Sequence, residues 1–431
     1  MNHLLATLAI FASFAPAFAE TPMHPTIDEW IARDSVPFTD EGIDRMIATM
    51  PDVQLLGFGE ALHGGEEILQ LRNRLFRRLV ERHGFRAIAI ESSFPQSRFV
   101  NEHVGGGGDA PNFADWISNG MGLLEANREL IAWMRQHNAT HDDKVHFYGF
   151  DMPLGKMAFA SPRLVLEALY DLVPERRERI ESLIGADSDW ENPAVIADPT
   201  KGVGGTTRAN DLRIEVEEVI ADLRRRGPEL DPARRAEAIH AAEIARQLLG
   251  AHAAMARKAG YAEVLGIRDT IMADNLEFIV EQERSRGKVL VFAHNGHLKR
   301  GRMHWQMGDA THAWWPAGAH VSRSLGARYA VIGTGVGVSD ENGIAAPEAG
   351  SLEARFTEAV LVPTAAAPAA LVAGLTPRTG STRNPTYFPW TGDCLADFDW
   401  LAFVKSTTYQ RGGPPLHAWD ADQTPRDDAR K

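Results

Sequence analysis

The sequence predicts an α/β fold: a mostly parallel central sheet with helices on both faces and a helical lobe inserted between strands. Three observations carry that expectation. The apolar runs Val53–Phe58 and Ala87–Ile90 flank a strongly helical stretch, Glu66–Arg82, which is a βαβ pattern with a right-handed crossover. Two further runs of strand length, Val145–Phe150 and Lys288–Ala293, follow later in the chain. Between those two, residues 162–286 read almost wholly as helix, punctuated by Pro174, Pro228 and Pro232.

Taken in order, the first nineteen residues have the pattern of a secretory signal. Leu4–Phe14 is an apolar core too short to span a bilayer, Pro16 breaks it, and Ala17-Phe18-Ala19 supplies small residues before Glu20. Export, to the periplasm, is therefore expected, with no membrane contact in the mature form. Short helices are expected at Ile27–Ala32 and Asp40–Met50, ahead of the βαβ unit. Phe94–His103 and Leu123–Asn138 read as helices, with the four glycines Gly105–Gly108 as a loop between them. After the helical block come strands at Lys288–Ala293, Tyr329–Gly333 and Trp400–Val404, with a loop at 302–318 and a Gly-, Ala- and Pro-rich stretch at 336–370. The expected organisation is a signal at 1–19, the first part of the core at 20–160, the lobe at 161–286, the second part of the core at 287–410 and a flexible tail at 411–431.

Bulk properties narrow the function. A chain of 431 residues with 44% hydrophobic residues can bury one large α/β domain with insertions. A net charge of −13 argues against nucleic acid or an anionic membrane surface as partner. The one cysteine, Cys394, excludes an internal disulfide and a cysteine-based zinc site. There is no G-x-S-x-G elbow, no H-E-x-x-H and no phosphate-binding P-loop. Gly333-Thr334-Gly335-Val336-Gly337 approaches a dinucleotide fingerprint, but Val338 fills the last glycine position.

What remains is a set of ionisable residues released at strand ends. Glu60 and His63 follow the first run, Glu91 closes the second, Asp151 closes the third, and His294 and His297 follow the fourth. Ligand crevices in open α/β sheets lie at those carboxyl ends. Each residue also has a structural explanation: Glu60 as a helix-terminal carboxylate, His63 and Asp151 as turn residues. As a set they suit general acid–base chemistry, with a histidine near neutrality to deprotonate water and carboxylates to orient it. Arg72 adds an anomaly. At about 100° per residue, it falls within the apolar arc Ile68, Leu69, Leu71, Leu75, Phe76, Leu79 and Val80. A buried guanidinium needs a partner. It serves either as a structural mate for one buried carboxylate or as an arm holding a catalytic carboxylate or a substrate oxygen.

These motifs together resemble the erythromycin esterase family. The resemblance rests on Gly57-Phe58-Gly59-Glu60-Ala61-Leu62-His63-Gly64, then Glu67, Arg72 and Ala87–Glu91. It continues through Trp133-Met134-Arg135 with Asn138, Tyr148-Gly149-Phe150-Asp151, Arg268-Asp269 with Met272 and Asn275, and His294-Asn295-Gly296-His297. It covers roughly residues 50 to 300. It implies hydrolysis of a macrolide lactone with neither metal nor covalent serine intermediate, and without a cofactor. Carried over, it makes His63 the general base, with Glu60 and Glu91 orienting it and Arg72 ordering that network. His294 and His297 would complete the cleft against substrate or oxyanion, with Asp151 also lining it. Two other readings stay open. Glu60, His63, Glu91, His294 and His297 are legitimate zinc or manganese ligands, and the same cleft could bind a small molecule without cutting it. Trp305, Trp314 and Trp315 in the 302–318 loop either line an apolar ligand surface or serve as packing, the second being favoured.

Overall fold

The computed structural model describes residues 26–413 except 109–110, 119, 154–158, 308 and 382, so the signal pattern and residues 414–431 lie outside the described residues. Ten strands are present among them: β1 Val36–Pro37, β2 Leu55–Glu60, β3 Phe85–Ser93, β4 His146–Asp151, β5 Lys288–His294, β6 Met303–Met307, β7 Ala310–Trp314, β8 Tyr329–Val338, β9 Val360–Pro363 and β10 Trp400–Ser406. Eight of them form one sheet in the order β1-β9-β10-β8-β2-β5-β3-β4. The six from β10 to β4 run parallel, and the short β9 and β1 close one edge antiparallel.

The parallel strands are buried on both faces, so their sequences alternate between two cores rather than between core and water. Leu56, Phe58, Ile88, Ile90, Leu290 and Phe292 face one way, against Leu75, Phe76 and Leu79 of the Glu66–Arg82 helix and Leu130 and Met134 of the Glu125–Thr140 helix. Leu55, Ala87, Ala89, Val289, Val291 and Val331 face the other way, against Met272, Leu276 and Ile279 of the Tyr261–Glu283 helix. A third core fills the helical block between β4 and β5, built on Leu212, Val216, Ile244 and Leu248 of its two antiparallel-packed long helices, Thr207–Arg225 and Pro232–Ala256. The Tyr261–Glu283 helix serves both bodies: Ile271 packs into the lobe, and its next residue, Met272, packs into the sheet.

Four expectations change. The strands of the βαβ pattern are parallel but not adjacent, because β5 inserts between β2 and β3. That strand arrives more than two hundred residues later, so no local pattern could show it. The 302–318 loop contains the β6–β7 hairpin, with Trp305 opposite His312. β8 runs on to Val338 and absorbs the glycine-rich segment. A Cβ at Gly333 would lie 2.6 Å from the Phe398 ring, and one at Gly335 would lie 2.6 Å from Trp390. Those glycines therefore admit aromatic rings onto the sheet and cradle no phosphate. Finally, the start of the expected flexible tail is pinned. Glu67 accepts bonds from Thr407 and Thr408, and Glu66 from the Arg411 backbone and side chain at 2.9 Å. Two carboxylates in the first turn of the Glu66–Arg82 helix, where the helix dipole favours them, thus hold the C-terminal segment.

Candidate active site

Register brings the strand ends together. Glu60 on β2 pairs with His294 on β5, and Ile90 on β3 pairs with Phe292, so Glu91 lies one step further toward the same edge. β4 joins with Asp151 opposite Ser93 across an irregularity in β3. Because β2, β5, β3 and β4 are consecutive in the sheet, their four carboxyl ends form one continuous row. Gly59 makes room for this: a Cβ there would meet Asn295 Oδ1 at 2.2 Å. Asn295 in turn ties the end of β5 to β8 through Thr334.

At one end of the row, His63 Nδ1 donates to Glu60 Oε1 at 2.5 Å. Glu60 is buried, while the His63 side chain is 36% exposed. A carboxylate only accepts, so the proton sits on Nδ1 and Nε2 keeps its lone pair. Burial pulls the His63 pKa down, but Glu60, helped by Glu91, more than offsets it and the group titrates above its ordinary value.

In the middle, His294 Nε2 donates to the Thr386 carbonyl at 2.7 Å and its Nδ1 accepts from the Gly296 backbone at 3.1 Å. Burial, with His63 and His297 nearby, holds its pKa down at about 3, so the ring is neutral. The ring centroids of His63 and His294 are 5.2 Å apart, and those of His294 and His297 6.5 Å.

The far end is a charge network. Arg268 grips Asp151 with two bonds, Nε at 2.9 Å and Nη2 at 2.6 Å, and reaches Glu91 Oε1 at 2.8 Å. Glu91 Oε2 accepts from the His294 backbone at 2.9 Å. His297 Nδ1 donates to Asp269 Oδ1 at 2.7 Å, and its Nε2 lies 3.4 Å from Glu91. Asp269 is fully buried and also accepts from Trp314 Nε1 and the Ala317 backbone. Burial lowers the His297 pKa, and Arg268 Nη1, 3.3 Å from Nε2, opposes a second positive charge, but Asp269 and Glu91 override both and hold it up at about 10, so the ring is an imidazolium. Burial alone would raise Glu91; His297, His63 and Arg268 instead hold it well below the usual carboxylate range.

Glu60, His63, Glu91, Asp151, His294 and His297 therefore converge as the sequence suggested. Arg72 does not bond to any of them. It is 1% exposed, and it donates from Nε and Nη2 to Asn73 Oδ1 and from Nη1 to Asn127 Oδ1. Its guanidinium lies 4.8 Å from the centroid of the Phe292 ring. Burial lowers its pKa to about 10, with Glu60 and Glu66 acting only through space. The arginine that orders the carboxylates is Arg268. It stood in a family motif, but lobe helicity gave no reason to aim it at the strand ends. Trp314 is likewise more than packing, since it anchors Asp269, whereas Trp305 and Trp315 are 39% and 52% exposed.

The C-terminal part of the core closes the opening. Asn384 Nδ2 donates to the His63 carbonyl, the His63 backbone donates to Thr386 Oγ1, and the Phe388 backbone donates to the Ala61 carbonyl at 2.7 Å. The space beside His63, lined by Arg383, Asn384, Thr386 and Tyr409, measures about 20 Å³, room for roughly one water molecule. Among the described residues, no three of His, Cys, Asp and Glu converge as a metal cage. The carboxylates Glu91 and Asp151 are already satisfied by a guanidinium.

The erythromycin esterase family model matches residues 80–407. The match starts after the segment that carries His63 and extends through the C-terminal third, where the motifs were least distinct. Erythromycin esterase type II of Escherichia coli is 21% identical over 326 residues, 71% of this chain and 76% of that protein. Among solved structures, a Bacillus cereus protein superposes with a TM-score of 0.70 at 19% identity, covering 90% of this chain and 98% of that one. A succinoglycan biosynthesis protein gives 0.68 at 18%, covering 91% and 99%. A histidine-to-asparagine mutant of the erythromycin esterase EreC, in its open conformation, gives 0.61 at 17%, covering 84% and 93%. With three quarters of its length matched by the family model and with that fold, the chain belongs to the erythromycin esterase family, a membership that supports ester hydrolysis.

Proposed function

We propose that this protein hydrolyses an ester by water activated at His63, and that its substrate is a macrolide lactone. The observation that carries the reading is the 2.5 Å contact of His63 Nδ1 with Glu60, which fixes the tautomer and leaves Nε2 as the base. Water gives a proton to Nε2 and its oxygen attacks the ester carbon. His63 then returns that proton to the leaving alkoxide, so the ring opens to a single hydroxy acid, heavier than the lactone by one water. His294 Nε2–H is the donor suited to the developing oxyanion. In this structure it is occupied by the Thr386 carbonyl, so an ester reaches it only when the Asn384–Phe388 segment withdraws. The imidazolium of His297 and the Arg268 guanidinium provide positive charge behind that oxyanion. Arg72 contributes through space to the Glu60 carboxylate rather than by a bond. The signal pattern supports work outside the cytoplasm, in the periplasm.

The test is mass spectrometry of erythromycin incubated with the purified protein, with and without EDTA. Gain of one water in both samples supports the reading. Gain only without EDTA replaces it with a metal-dependent one, and no gain removes the macrolide as substrate. His63→Ala is expected to lower turnover by roughly 10²–10⁴-fold with the fold intact by circular dichroism. Near-wild-type turnover in that variant would remove His63 as the base.

A further inference from the structure

β4 has a second end. His146 opens the strand that Asp151 closes, five residues or roughly 16 Å from the catalytic row at about 3.3 Å per residue. There, between the sheet edge and the lobe, lies a cavity of about 530 Å³. Protein interiors are packed with few voids larger than a water molecule, and this volume falls within the range of ligand pockets, about 300–1,000 Å³. Much of its wall is apolar, including Phe147, Val165, Leu169, Leu172 and Ile244, all buried.

Charge chooses the ligand. Glu283, 1% exposed, lines one wall, and its Oε1 accepts from Tyr148 Oη at 2.7 Å and His146 Nδ1 at 2.6 Å, with Arg286 at 3.5 Å. That carboxylate is already balanced, although its Oε2 has no partner among the described residues. The orphan oxygen alone would invite an amine. Two further arginines on the same cavity, Arg98 and Arg234, oppose one, Arg286 being taken up by Glu283. Arg98 and Arg234 pair with no carboxylate among the described residues, Arg98 resting over the Phe99 ring. Glu237 is the one acidic side chain on the lining apart from Glu283. In a chain of net charge −13 this is a locally basic rim on an apolar hole.

We propose that this cavity binds an amphiphilic carboxylate, its hydrocarbon chain among Val165, Leu169 and Ile244 and its head at Arg98 and Arg234. The site bridges core and lobe and does not depend on the esterase reading, because binding is measured without turnover. Calorimetric titration of the full chain with decanoate, below its micellar range, should show one saturable site. The paired change Arg98→Ala with Arg234→Ala should weaken it roughly tenfold or more. Ala168→Trp, at an exposed lining position that tolerates bulk, should abolish it, and Ala238→Leu should weaken it from the buried side. Decylamine should not bind. The proposal is overturned if decanoate fails to bind, if decylamine binds as tightly, or if decanoate affinity is unchanged in the arginine pair or in both cavity-filling variants.

Discussion

Arg72 and Arg268 are two arginines withdrawn from water in different ways. Arg72 sits in the apolar arc of its helix and meets two side-chain amides and the face of Phe292. Arg268 sits on a helix shared by lobe and sheet and meets Glu91 and Asp151. The first was conspicuous from periodicity alone, and the second was not. Yet the second holds the carboxylates in place. Periodicity reports whether a side chain is buried; it carries no information about which charge waits on the other side.

The largest test of that contrast is Arg268→Met. It leaves Glu91 and Asp151 buried without their cation, and one-sided removal of a buried pair costs roughly 3–5 kcal/mol. Urea unfolding should show a loss of that size together with lost hydrolysis. Arg72→Met removes the burial cost along with the bonds and strands only the amide oxygens of Asn73 and Asn127. A smaller loss is expected, roughly 1–3 kcal/mol, with measurable hydrolysis retained. If Arg72→Met costs more than Arg268→Met, the assignment of roles is reversed.

pH sharpens the comparison further. The His297 pKa is held up at about 10 against about 6.5 unfolded, because Asp269 and Glu91 outweigh its burial. A raised folded-state pKa stabilises fully below the unfolded value, and the contribution is lost as pH rises through the folded one. The stability gap between wild type and His297→Gln should therefore be widest below about pH 6.5 and shrink toward pH 10. A gap that grows with pH would mean that the ring is neutral.

On the proposed mechanism His63 serves as base only when unprotonated, so kcat/KM should rise with pH through its elevated pKa. Glu60→Gln removes the charge that raises it, so the midpoint should move to lower pH, with burial left to dominate. An unmoved midpoint would separate Glu60 from the base. Asn384→Ala strands no charge: it deletes the neutral bonds that Nδ2 donates to the His63 carbonyl and to Asn342 and those that Oδ1 accepts from the Thr386 backbone and hydroxyl, about 1 kcal/mol of stability each by urea unfolding.

By itself the sequence determined the six parallel strands, the Glu66–Arg82 helix and the ionisable residues released at four strand ends, but not the β6–β7 hairpin or the antiparallel β1 and β9. Burial and hydrogen bonding along one segment impose a period that its own residues display, and turn residues mark where the segment stops. It likewise identified the family, through short motifs whose order along the chain is visible without coordinates. Only the tertiary structure decided the strand order with β5 between β2 and β3, the choice of Arg268 over Arg72, the anchoring of Asp269 by Trp314, and the closure of His63 and His294 by Asn384 and Thr386. Each of these joins residues separated by tens to hundreds of positions. Their pairing is fixed by shape, charge and register across the whole packed molecule, so no window of sequence contains both partners of the decision.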